Sequence, residues 1–175
     1  MPLTPFHIGI GLALGMLLFR YINLPAVLLA SVIVDIEPIY CMFIGNCQLH
    51  GFSHTFIGGT LFAIAVIIII VALRTHLSKI SKIFRVEQDY SLKSIVLASF
   101  VGVYAHLVLD SFMHGDMNPF WPIEGNPLLG KISNSLCLDL CIAGFFAGIA
   151  IYIFHLLKKK KERIRRKNEN LNLKF

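Results

Sequence analysis

The chain has 175 residues, of which 56% are hydrophobic and 15% charged, against about 45–50% and about 25% for an ordinary soluble domain, and that class is excluded. The formal net charge of +6 is not that of a basic domain, because residues 158–167, KKKKERIRRK, carry a net +7 and residues 1–157 a net −1. Four cysteines without a CxxC pair exclude a disulfide scaffold and a structural zinc knuckle.

No Lys or Arg precedes Arg20, so the first apolar stretch lacks the basic head of a cleavable signal and is expected to be retained. Phe6 to Tyr21 predicts a helix. Asn23-Leu24-Pro25 turns the chain, and Ala26 to Val34 predicts a short second helix stopping at Asp35-Ile36-Glu37-Pro38 inside the bilayer. Thr55 to Leu73 is 19 residues long without a charge, close to the roughly 20 needed to cross a hydrocarbon core of about 30 Å. Ser94 to Met113 and Leu136 to Leu157 are two further spans, interrupted by His106 and Asp110 and by Asp139 and His155. Long uniform runs of this kind are unlike the alternating ten-residue strands of a membrane barrel. The expected fold is an all-α membrane protein, a bundle of about four to five transmembrane helices with a short second helix. Residues 1–157 form the transmembrane domain and residues 158–175 a basic tail, disordered from Asn168 onward. Gly11/Gly15 and Gly144/Gly148 have the small-xxx-small spacing of close helix packing.

Fifteen of the 16 Lys and Arg residues fall on one side of this arrangement and Lys131 alone on the other. The positive-inside rule then puts the C-terminus in the cytoplasm and the N-terminus outside. The basic tail reads as an orienting and lipid-contacting segment, not as a nucleic-acid-binding one.

Ionisable residues within apolar segments are costly and mark functional sites by default. His7, Asp35, Glu37, His50, His54, His106, Asp110 and His114 all fall in the outer half of the predicted bundle. His106, Asp110 and His114 repeat at four-residue steps, each rotating only about 40°, and share one helical stripe. Ser53 is expected to cap the span that follows, with His54 in its first turn. Imidazole and carboxylate donors at one depth match zinc and related divalent ions. His7, Asp35, His50, His54, His106 and Asp110 are the expected ligands, enough for one or two ions. Glu37 and His114 are the expected catalytic proton carriers. Asp116 and Trp121, in the loop HGDMNPFWPIEGNPLLG, and Asp139 are expected around the ligands or at the substrate. The cysteines are expected to be free thiols, with a disulfide such as Cys41 to Cys47, which an oxidising exterior permits, as the alternative.

TPFH at 4–7, DIEP at 35–38, HGFSHT at 50–55 and HLVLD at 106–110 resemble, in order, the motifs of the inner-membrane-associated metal-dependent hydrolases, the YdjM-type family described as LexA-regulated or LexA-binding. That family has an Arg after the first His of the third motif, where Gly51 stands here, and a second Asp in the acidic motif, where Glu37 stands. The resemblance implies a divalent-metal hydrolase of the inner membrane, and it alone implies a LexA-type partner. The expected substrate is a membrane lipid or a small lipid-linked molecule, cut at a phosphoester or related bond at the outer face. A divalent-metal transporter, with donors handed across several depths, and a metal-stapled scaffold are the alternatives.

Overall fold

A computed structural model describes residues 6–45 and 48–172, and the described residues contain helices and no strand. The helices are α1 (His7–Leu17), α2 (Leu24–Ala30), α3 (Ile36–Ile44), α4 (Phe56–Ile83), α5 (Leu92–Met113) and α6 (Asn134–Asn172), with 3-10 turns at Ile33–Asp35 and Phe52–His54. Four stretches are long and apolar enough to cross a membrane: Leu24–Ile44, Phe56–Ile83, Leu92–Met113 and Asn134–Asn170. Large apolar side chains such as Phe43, Ile83 and Phe154 stand exposed around them, as a lipid-facing belt requires.

Several details differ from the sequence expectation. The predicted first helix is only 11 residues long, and it packs along α6 and α2. The second segment does not stop at the DIEP motif: α2, a 3-10 turn and α3 together run 21 residues. The cause lies in Pro38, whose ring nitrogen has no proton to give the Val34 carbonyl. Proline is tolerated in the first turn of a helix, and here it sits in the first turn of α3, so the helix breaks before it and restarts. α3 carries the chain about 13 Å further at about 1.5 Å per residue. Asp35 therefore lies recessed along the span instead of at its end.

The predicted end of α4 also moves. Arg74, Lys79 and Lys82, beyond the predicted Thr55 to Leu73 span, lie on the helix, which ends at Ile83. Its terminus wraps through Arg85 at φ 58°, with Val86 N–H donating to the Ser81 carbonyl at 2.9 Å, the six-to-one closure of a Schellman motif. Lys159 on α6 donates to the Arg85 carbonyl and to Glu87. Residues 168–172, expected to be disordered, continue α6 as helix, because Lys, Arg and Glu favour helix and Arg165 and Glu169 pair one turn apart at 2.8 Å.

The glycine pairs lie at helix interfaces. A Cβ on Gly15 would stand 2.9 Å from a Val27 methyl, and one on Gly148 would stand 2.6 Å from Leu12. The core joins Val27, Ala30, Val66, Ala98, Val103 and Leu107 from α2, α4 and α5, directly beneath the polar cluster described next. Cys137 and Cys141 are free and buried. Cys41 is disulfide-bonded, correcting the expectation of free thiols throughout, and Cys47 lies outside the described residues.

Candidate metal centre

Three separate segments bring four acid and imidazole groups into one buried cluster. Asp35 comes from the break between α2 and α3, His54 from the 3-10 turn before α4, and His106 and Asp110 from adjacent turns of α5. They are 7%, 0%, 1% and 2% exposed, and each offers a ligand atom within 4.8 Å of the others. His106 Nε2 lies 3.0 Å from Asp110 Oδ2 and 3.4 Å from Asp35 Oδ1. His54 Nε2 lies 3.6 Å and 3.7 Å from the same two oxygens.

The break in the second segment contributes directly. Asp35 N–H donates to the Val32 carbonyl in the 3-10 turn, not to Ser31 as a continuous helix would have it. The Ser31 carbonyl instead faces His106 Nδ1 at 2.8 Å. A carbonyl only accepts, so Nδ1 carries a proton, and Nε2 is turned toward two carboxylates. Oxygens of two carboxylates around that nitrogen require positive charge between them.

The hydrogen-bond inventory supports a cation. Asp35 Oδ2, His54 Nε2, His106 Nε2, Asp110 Oδ1 and His7 Nδ1 are buried and have no hydrogen-bond partner among the described residues. Leaving that many polar atoms unsatisfied would cost several kcal/mol, at roughly 1–3 kcal/mol each. Two imidazoles and two carboxylates converging within ligand reach are the donor set of a divalent ion, and the residues fit one.

Asp110 also belongs to a second group with His50 and His114. His50 Nδ1 lies 3.0 Å from both Asp116 carboxylate oxygens, and its ring stacks on that of His114 at 3.9 Å. His114 Nε2 and His7 Nε2 approach Asp110 Oδ1 at 3.9 Å and 3.1 Å, and the His7 ring lies 4.0 Å from that of His106. One carboxylate thus turns Oδ2 to the first group and Oδ1 to the second. His114 lies just beyond the end of α5. Burial, with the neighbouring charge of His50, holds its imidazole below the ordinary pKa. Burial raises the Asp116 carboxyl, but the His50 hydrogen bond and charge outweigh it, leaving it below the usual carboxylate range.

The remaining predicted residues are spread around this centre. Glu37 lies behind His54, with Oε2 at 3.6 Å from Nδ1, on the opposite side of the ring from the cluster. Trp121 and Phe52 meet edge to face at 5.8 Å and help line a cavity of about 290 Å³ with Gln48, His50, Gly51, Thr55 and Asn118. Asp139 is exposed on α6 and reaches no ligand imidazole. Cys137 and Cys141 take the inward face of that helix, and a residue two positions away points about 200° around it.

Ser53 is not the cap of the following helix. Thr55 is, its hydroxyl accepting from Gly58 N–H at 2.8 Å. Ser53, the Ser31 carbonyl and the Val34 carbonyl were not foreseen as parts of the site. Pro38 was their available signal, since a proline four residues after Val34 leaves that carbonyl without its helical donor.

The model of a family described as YdjM inner membrane protein matches residues 1–166. No curated protein and no solved structure matches the chain.

Proposed function

The chain belongs to the YdjM inner membrane protein family and is a multi-pass membrane protein, and from that premise we propose that it is a metal-dependent hydrolase of a phosphoester or related bond in a membrane lipid or lipid-linked substrate. The observation that carries the reading is the convergence of Asp35, His54, His106 and Asp110, each offering a ligand atom within 4.8 Å of the others, with Nε2 of both imidazoles buried and lacking a hydrogen-bond partner among the described residues, which a divalent ion, zinc by donor type, would satisfy. Asp35, His54, His106 and Asp110 would hold one ion. His50 and His114, with Oδ1 of Asp110 and with His7 beside it, would hold or flank a second. Such an ion supplies a bound water of pKa about 7 and polarises a phosphoryl oxygen.

The chain's own residues supply the rest. The cavity beside His50 admits a headgroup, and Trp121 and Phe52 at its rim, 48% and 46% exposed, rest in the membrane interface and orient the lipid. His114, partly buried against His50, would move a proton at the reacting bond where a single ion is bound and its imidazole is not a ligand. With the basic tail cytoplasmic, the cavity opens to the outer leaflet. Among the described residues the cavity lining holds no Lys or Arg, so an ion in the cluster would be what receives a substrate's negative charge.

The test uses the purified full chain in phospholipid vesicles. Release of headgroup or phosphate that stops on chelation, returns with Zn²⁺ and is lost in His106→Ala and Asp110→Ala is expected. Metal bound without turnover on phosphoester lipids would overturn the hydrolase reading.

A further inference from the structure

The Ser53 side chain has an arrangement that packing does not require. It is 3% exposed, and its hydroxyl meets the Val34 carbonyl at 3.1 Å, His54 Nδ1 at 2.9 Å and the Glu37 carboxylate. The Ser53 backbone N–H also donates to Glu37 Oε2 at 3.0 Å, so that oxygen is an acceptor. The carbonyl and the carboxylate compete for the single hydroxyl proton and can give none back. Of the three neighbours, His54 Nδ1 alone can donate to the hydroxyl oxygen. The proton of the His54 ring is therefore on Nδ1, and the Nε2 lone pair faces Asp35 and Asp110. Gly51 makes room for this, since a Cβ there would stand 2.7 Å from Glu37 Oε1.

We propose that Ser53, backed by Glu37, is a positioning residue that holds His54 in the tautomer and orientation of a metal ligand, through the chain His54 Nδ1–H to Ser53 Oγ–H to the Glu37 carboxylate. The inference rests on the metal reading above and deepens it. It matches what the other two Nδ1-anchored imidazoles show. His106 is held by the Ser31 carbonyl and His50 by Asp116, each turning Nε2 away from its anchor. Partners behind a ligating imidazole fix its tautomer and raise its basicity, and their loss typically weakens metal binding about 10–100-fold. It also gives Glu37 a task on the far side of His54, in place of a general base acting on water.

The experiment is a Co²⁺ titration of the detergent-purified full chain, read by metal affinity and by the visible absorption of bound cobalt. Ser53→Ala is expected to bind about 10–100-fold more weakly with altered cobalt bands, and Ser53→Thr, which keeps the hydroxyl, restores both. Glu37→Gln weakens binding less than Ser53→Ala, because the Val34 carbonyl still accepts the Ser53 proton, and it adds less than about twofold in the Ser53→Ala background. Wild-type affinity in Ser53→Ala, or a Ser53→Thr variant as weak as Ser53→Ala, overturns the proposal and leaves the metal reading standing. Full affinity in Glu37→Gln with a rate loss of about 10²–10⁴-fold returns Glu37 to the role of base and overturns its part. A wild-type chain that binds no Co²⁺ overturns both readings.

Discussion

At the residue scale Asp110 carries the most. Its two oxygens face different imidazole groups, so Asp110→Ala is expected to empty both, whereas His114→Ala leaves Asp35, His54 and His106 with their ion. Metal-to-protein ratios of the two purified variants check this, and equal residual metal would show that the groups are not joined through Asp110. The residues of the cluster stood out in the sequence because ionisable groups in apolar helices cost too much to be incidental. Asp35, His54, His106 and Asp110 meet as their types and depth require. Ser53 was not legible in its role. A Ser ahead of an apolar run reads as a cap, and the cap role instead went to Thr55, two residues on, whose backbone has the extended conformation that a capping residue needs. Thr55→Ala is accordingly expected to cost about 1 kcal/mol, seen as a lower detergent-melting temperature.

Among the elements, the broken second segment decides the shape of the site. A continuous helix would spend the Ser31 carbonyl on its own ladder. The 3-10 turn releases it to His106, and Pro38 leaves the Val34 carbonyl to Ser53. The DIEP motif reads as a stop because a proline usually follows a helix end. That this proline opens a new helix depends on α3 finding lipid and protein to cover it, which local pattern does not encode. Pro38→Ala is expected to make the helix more continuous and to draw the Val34 carbonyl back into the ladder, weakening metal binding without unfolding the chain. A metal titration beside far-ultraviolet dichroism distinguishes the two effects. The turn after α4 offers an independent check. Arg85 holds a left-handed backbone conformation that costs a non-glycine residue about 1 kcal/mol or more, and Arg85→Gly is expected to raise stability by up to about that amount. Unchanged melting would mean that the Arg85 side chain offsets the strain.

On the scale of the molecule, the number and order of apolar segments were readable from composition and run length. The reach of each was not. α1 is shorter than its apolar run, since the chain must turn at Leu18–Asn23 to bring α2 against α5, and α6 runs on through the basic tail because nothing in that tail breaks a helix. The basic asymmetry predicts that a reporter fused after Phe175 is cytoplasmic and a tag inserted near Asn126 is reachable from outside. The opposite labelling would place the His and Asp cluster on the cytoplasmic side and expose it to a different pool of lipids.

The central claim is that the buried cluster of Asp35, His54, His106 and Asp110 exists to hold a divalent ion. Elemental analysis of the chain purified in detergent without added metal measures that most directly. One to two equivalents of a divalent transition metal, zinc foremost, are expected in the wild type and almost none in Asp110→Ala. A folded wild-type chain that carries no such metal, and takes up none on dialysis against zinc, would contradict the account.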